Sequence, residues 1–231
     1  MNPLEHAVAA LAPLADPARA PHMRAYMKEH FAFLGIQTPA RRAAIAPLLR
    51  AMKGSDRAAL LAAAQALWRQ PEREYQYVAL DLLARYWKTL SLADLDALLA
   101  LACDKSWWDS VDGMAGIIGD ILHAALAHTS DCQRRMDQAL ASDNLWVRRI
   151  AMLHQLGWRA DTDRQRLFSY ALALAAEPDF FIRKAIGWAL RDHARHAPDQ
   201  VRQFLLAQAG VLSPLTLREA GKHLALPVSL A

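Results

Sequence analysis

Apolar residues recur at helical spacing along almost the whole chain, as in Tyr77, Leu80, Leu83, Ala84 and Trp87, the pattern of a helix that buries one face. The pattern breaks at Gly35-Ile-Gln-Thr-Pro39, Lys53-Gly-Ser-Asp56 and Gln70-Pro71, where glycine, proline and short polar side chains mark turns. Start signals follow the same rhythm. Thr38-Pro39, Ser55-Asp56, Ser91 with Asp94, Ser142-Asp143, Pro178-Asp179 and Ser213-Pro214 each supply a capping side chain or a first-turn proline ahead of a new apolar run. About a dozen helices are predicted by these signals.

The helices repeat. Tyr77-Val78-Ala79-Leu80, Ser110-Val111-Asp112-Gly113, Trp146-Val147-Arg148-Arg149, Phe181-Ile182-Arg183-Lys184 and Thr216-Leu217-Arg218-Glu219 align on Val78, Val111, Val147, Ile182 and Leu217, which are 33, 36, 35 and 35 residues apart. That period is one antiparallel helix pair, and stacked pairs build a right-handed α-solenoid with a curved inner surface. About six pairs in a single domain over residues 1–231 are expected, since no linker or composition shift divides the chain. Arg or Lys follows the anchor in three of the five copies, so stacking would align cations into a row suited to a phosphate backbone.

Composition agrees with an all-α chain: Ala supplies 47 and Leu 36 of the 231 residues, against 7 Val, 8 Ile and 5 Thr. With 54% apolar and 22% charged residues the chain can bury a large core and is not disordered. Its longest run without a charged residue, Gln203 to Leu217, is 15 residues and too short to span a bilayer. Glu5 and His6 stand where a secretory signal would carry Lys or Arg, so a cytoplasmic protein with no membrane partner is expected. Cys103 and Cys132 lack CxxC spacing and read as small buried hydrophobes. The net charge of +4 attracts a polyanion only weakly. It is unevenly placed: +4 over residues 1–60, −4 over 61–130 and +3 over 131–203. A DNA backbone would be repelled by that acidic centre unless a carboxylate there had a task.

The most informative stretch is Asp104-Lys-Ser-Trp-Trp-Asp-Ser-Val-Asp112. Trp108 and Asp112, four apart on a helix, project from one side. A carboxylate beside an indole suits a developing cation, such as a sugar ring during C–N cleavage; tandem Trp can equally pack a core, and Asp109 or Asp112 can cap or pair. In Asn144-Leu-Trp-Val-Arg-Arg149, adjacent arginines point about 100° apart, so Arg148 and Arg149 cannot share a face. Trp188 follows Gly187, where a missing side chain would admit a ligand or a helix. His193 and His196, like His123 and His128, have no acidic pair to complete a metal site, and neither a nucleophile elbow nor a glycine-rich phosphate loop occurs.

Taken together, Ser106-Trp-Trp-Asp-Ser-Val-Asp112, Asn144-Leu-Trp-Val-Arg-Arg149 and Phe181-Ile-Arg-Lys-Ala-Ile-Gly-Trp-Ala-Leu-Arg191, with Tyr26-Met-Lys and Phe33-Leu-Gly-Ile-Gln-Thr-Pro39 upstream, closely resemble the AlkD-type DNA alkylation-repair glycosylases. The likeness runs from about residue 20 to residue 225. It implies HEAT-like repeats and hydrolysis of the N-glycosidic bond of N3- and N7-alkylated purines in duplex DNA, without metal or organic cofactor. By motif, it assigns Asp112 as the catalytic aspartate, Trp108 and Trp188 as sugar-contacting tryptophans, Arg149 as the active-site arginine and Tyr26 as the N-terminal tyrosine. DNA contacts are expected from Tyr26, Gln37, Arg148, Arg183, Lys184 and Arg191, Arg149 is expected to meet a phosphate, and the protein is expected to act as a monomer at the nucleoid. The rival readings are a non-catalytic HEAT-like protein that recognises altered DNA by shape and a HEAT scaffold that grips a partner helix.

Overall fold

In a computed structural model, described for residues 2–129 and 131–226, the chain is all-helical. Thirteen α-helices are present among the described residues: α1 Pro3–Leu11, α2 Ala20–Tyr26, α3 Thr38–Ala51, α4 Arg57–Trp68, α5 Arg73–Arg85, α6 Leu95–Cys103, α7 Trp108–Ala125, α8 Arg134–Leu140, α9 Leu145–Leu153, α10 Arg164–Ala173, α11 Phe180–Ala194, α12 Pro198–Ala207 and α13 Pro214–Gly221. No strand occurs among those residues, only an isolated bridge between Ala32 and Glu72. Among the described residues no helix is long and apolar enough to cross a membrane.

Most predicted starts are real caps. Asp56 accepts the Ala59 N–H at 2.8 Å, Asp179 accepts from Phe181 and Ile182, and Ser213 accepts from Thr216 ahead of Pro214. Ser91 and Asp94 form a capping box over a short 3₁₀ turn, Leu92–Asp94, that leads into α6. Two starts shift by a residue or two. Asn144 caps α9, in place of Ser142 or Asp143, because its Oδ1 reaches the Trp146 N–H at 2.9 Å. Gln37, rather than Thr38, takes the capping position of α3, without a side-chain bond.

The chain consists of two compact units divided after Ala97. In the first, α4 packs on α5, and α3 packs on both α1 and α5. In the second, α7, α9, α11 and α13 pack in succession, with α8 against α9 and α12 against both α11 and α13. Every anchor of the repeat lies in one of these interfaces: Val78, Val111 and Ile182 are completely buried, Leu217 is 5% exposed and Val147 is 6% exposed. Each such side chain stabilises the stack by about 1.5–3 kcal/mol. The anchors fall on α5, α7, α9, α11 and α13, so the sequence period is the helix-pair period of a HEAT-like fold. Cys132 is buried as expected; Cys103, the last residue of α6, is exposed.

Candidate active site

One register produces the site. The residue after the anchor of α7 is Asp112, and two after the anchor of α9 is Arg149. Because α7 and α9 are neighbours, these side chains meet in a two-pronged ion pair, Arg149 Nε to Asp112 Oδ1 at 2.7 Å and Nη2 to Oδ2 at 2.8 Å. The remaining guanidinium nitrogen donates to the Phe181 carbonyl on α11. The arginine side chain is 1% exposed and the aspartate 27%. Arg149 is thus buried, with three of its five N–H donors engaged, two of them by Asp112. Arg148, about 100° round the helix, turns away to Glu177 (2.7 Å) and to the carbonyls of Ser142 (2.7 Å) and Asp143 (3.0 Å).

Asp112 is poised between opposing effects. Burial pushes its carboxyl above the ordinary aspartate value, the Arg149 fork pulls it down, and the neighbouring Asp109 carboxylate pushes it up again, with a net rise. Around the pair lie aromatic rings. The Arg149 guanidinium carbon stands 5.2 Å from the Trp188 ring centre and 5.9 Å from that of Phe181. Trp107, Trp146 and Phe181 form a triangle with centroids 5.1–5.6 Å apart. Trp108 opens α7 one turn before Asp112 and is half-buried.

The tandem tryptophans thus divide their labour. Trp107 goes to the aromatic triangle, and Trp108 stays on the helix that carries Asp112. Phe181 and Trp146 were not singled out by sequence reasoning, although a signal existed: both occupy the position just before the anchor, as Tyr77 does in the first unit. The packing of α9 on α11 places Trp146 and Phe181 in contact.

Three of the cations expected to contact DNA are held by internal acceptors. Arg183 Nε donates to the Glu177 carbonyl at 2.9 Å, while Lys184 and Arg191 both bind Glu219, at 2.6 and 2.9 Å. All three are half-buried. Tyr26 and Gln37 belong to the first unit. Tyr26 ends α2 and is 69% exposed. Gln37 is exposed after a loop held by the fully buried Glu74, whose carboxylate accepts the N–H groups of Leu34, Gly35 and Ile36 at 2.9–3.0 Å. Only glycine fits at position 35, where φ is +89° and a Cβ would lie 2.2 Å from the Asp16 carbonyl oxygen.

The sequence profile of the family described as DNA alkylation repair enzyme matches residues 7–224. The chain belongs to that family. A solved structure, a predicted DNA alkylation repair enzyme from Enterococcus faecalis, superposes with a TM-score of 0.85 at 34% identity, over 92% of this chain and 97% of that one. No curated protein matches. Membership of the DNA alkylation repair enzymes connects the chain to alkylation damage and to DNA as its substrate.

Proposed function

We propose that this protein is a monofunctional DNA glycosylase that hydrolyses the N-glycosidic bond of N3- and N7-alkylated purines, such as 3-methyladenine and 7-methylguanine, in duplex DNA. The observation that carries this reading is the Asp112 carboxylate, fixed by a buried arginine yet 27% exposed. Each of its oxygens accepts one prong of the fork and has a second lone pair to offer.

Alkylation at N3 or N7 makes the purine cationic, so the base departs with the C–N electron pair as a neutral molecule and needs little acid catalysis. The sugar left behind is an oxocarbenium ion. Asp112 stabilises that charge and orients a water toward C1′; the water oxygen bonds C1′, and its proton passes to the carboxylate or to solvent. Trp108 and Trp188 pack against the sugar. Arg149 is a positioning residue, setting the carboxylate plane and opposing the burial that would protonate it. Tyr26, Gln37, Arg148, Arg183, Lys184 and Arg191 are the proposed DNA contacts, through donors and surface beyond those that their internal partners occupy. No step in this scheme calls for a metal or an organic cofactor, and a monomer acting on the nucleoid from the cytoplasm suffices.

Incubation with methylated duplex DNA, without added metal, tests the proposal. Free 7-methylguanine and 3-methyladenine are expected. Binding without release of either base would instead make the protein a non-catalytic reader of DNA.

A further inference from the structure

Glu219, on α13, takes no part in the chemistry just described, yet it gathers three donors from α11. Its Oε2 accepts the Trp188 indole N–H at 3.0 Å and an Arg191 Nη1–H at 2.9 Å, and its Oε1 accepts from Lys184 Nζ at 2.6 Å. The carboxylate is 19% exposed, and its three donors hold it below the usual range for glutamate, with Lys184 the chief cause. The approach is built into the backbone. A Cβ on Gly187 would stand 2.4 Å from the Glu219 Cβ and 3.1 Å from the Thr216 carbonyl oxygen, so α13 rests directly on α11 at that glycine. Thr216 Oγ1 donates to the Arg183 carbonyl at 3.1 Å and fixes the register. The gap that Gly187 opens is thus filled by a helix.

From this geometry we propose that Glu219 is a positioning residue with two linked effects: it orients the Trp188 indole over the Asp112–Arg149 pair, and it restrains Lys184 and Arg191 from gripping DNA indiscriminately. The first effect follows from the in-plane N–H bond. A tryptophan side chain with two rotatable bonds is fixed when its ring nitrogen is tied, and this ring lies 5.2 Å from the guanidinium that forks to Asp112. The chain of contact therefore runs Glu219, Trp188, Arg149, Asp112. The second effect follows from charge: two cations share one anion, and a phosphate must compete with that anion for them. Loss of Glu219 accordingly shifts binding and catalysis in opposite directions, which a simple loss of packing does not do.

The first effect rests on the glycosylase reading for its kinetic readout, so the experiment includes one arm that does not. Wild type, Glu219→Ala and Glu219→Gln are compared in three measurements: single-turnover release of 7-methylguanine, salt dependence of binding to undamaged duplex DNA, and hydrogen exchange of the Trp188 indole N–H by NMR. Glu219→Ala is expected to release base about tenfold more slowly, the equivalent of one charge-assisted hydrogen bond. It should also bind undamaged DNA more tightly, with a salt slope steeper by about one to two, and lose protection of the indole N–H. Glu219→Gln retains an acceptor for the indole but no charge, so it should restore most of the rate and the protection while keeping the steeper slope. In a Trp188→Phe background, which has no indole N–H, Glu219→Ala should still steepen the slope but add little to the loss of rate. If wild type releases no base, the glycosylase reading fails, and indole exchange and salt slope still decide the role of Glu219. An unprotected indole in wild type, an unchanged slope in both variants, or fully additive rate losses in the Trp188→Phe background would overturn the proposal.

Discussion

Each compact unit contains an ion pair between a buried arginine and a partly exposed aspartate. In the first, Arg41 on α3 meets Asp81 on α5 at 3.1 Å, with its guanidinium 4.8 Å from the Tyr77 ring. In the second, Arg149 on α9 meets Asp112 on α7, with its guanidinium 5.2 Å from the Trp188 ring. Both arginines are buried, and both pairs join helices that pack side by side. The difference lies in what else surrounds the acid. Asp81 accepts from a second cation, Arg42, at 3.1 Å, and is 16% exposed. Asp112 has one cation, a carboxylate neighbour in Asp109, and more of its side chain open to solvent. A doubly neutralised carboxylate is a bolt between repeats. A singly neutralised one, partly desolvated and partly open, still has charge to offer a cationic transition state.

Substitution should separate the two. Asp112→Asn is expected to lower single-turnover base release about 10²-fold, some 3 kcal/mol of transition-state stabilisation, while leaving DNA binding intact. Asp81→Asn should do the reverse: it strands the Arg41 charge and costs about 2 kcal/mol of folding stability, seen as a lower urea midpoint, with release little changed once the protein is folded. Exchange of rates and stabilities between these variants would erase the distinction.

A smaller effect probes the arginines. Arg149→Lys retains a charge but loses the fork, so release should fall about tenfold. Because Arg149 is buried and forks to Asp112, Arg149→Ala should leave the salt slope of DNA binding unchanged; a shallower slope would show that it meets phosphate. The smallest effect is expected at Arg42, which is 64% exposed. Arg42→Ala should cost about 0.5 kcal/mol of stability, read as a slight drop in thermal midpoint.

The repeat was legible because its anchor is apolar in every copy and the stack buries them all. The Asp112–Arg149 pairing was less so. Residues 37 apart carry no local sign of contact, and the resemblance identified the two residues without showing that one holds the other. The cations at 184 and 191 were expected to contact DNA because the sequence displays charge but not its partner. Glu219 lies 35 and 28 residues further on and becomes their partner only when α13 settles on Gly187. The register already contained that outcome in one respect: Lys184 and Glu219 both stand two positions after their anchors, on helices that pack side by side. The sequence shows no marker for the division after Ala97, since both sides are built of the same Ala- and Leu-rich helices.

The central claim is that an ionised Asp112 drives base release, and the pH dependence of single-turnover release tests it most directly. Burial raises the Asp112 carboxyl, so activity is present above that raised value and is lost as pH falls through it. The wild-type rate, corrected for spontaneous depurination, should therefore decline in acid with a midpoint above that of an ordinary aspartate, about 3.9. The low residual rate of Asp112→Asn should show no such limb. A wild-type rate in Asp112→Asn, or the same acid limb in both proteins, would contradict the account.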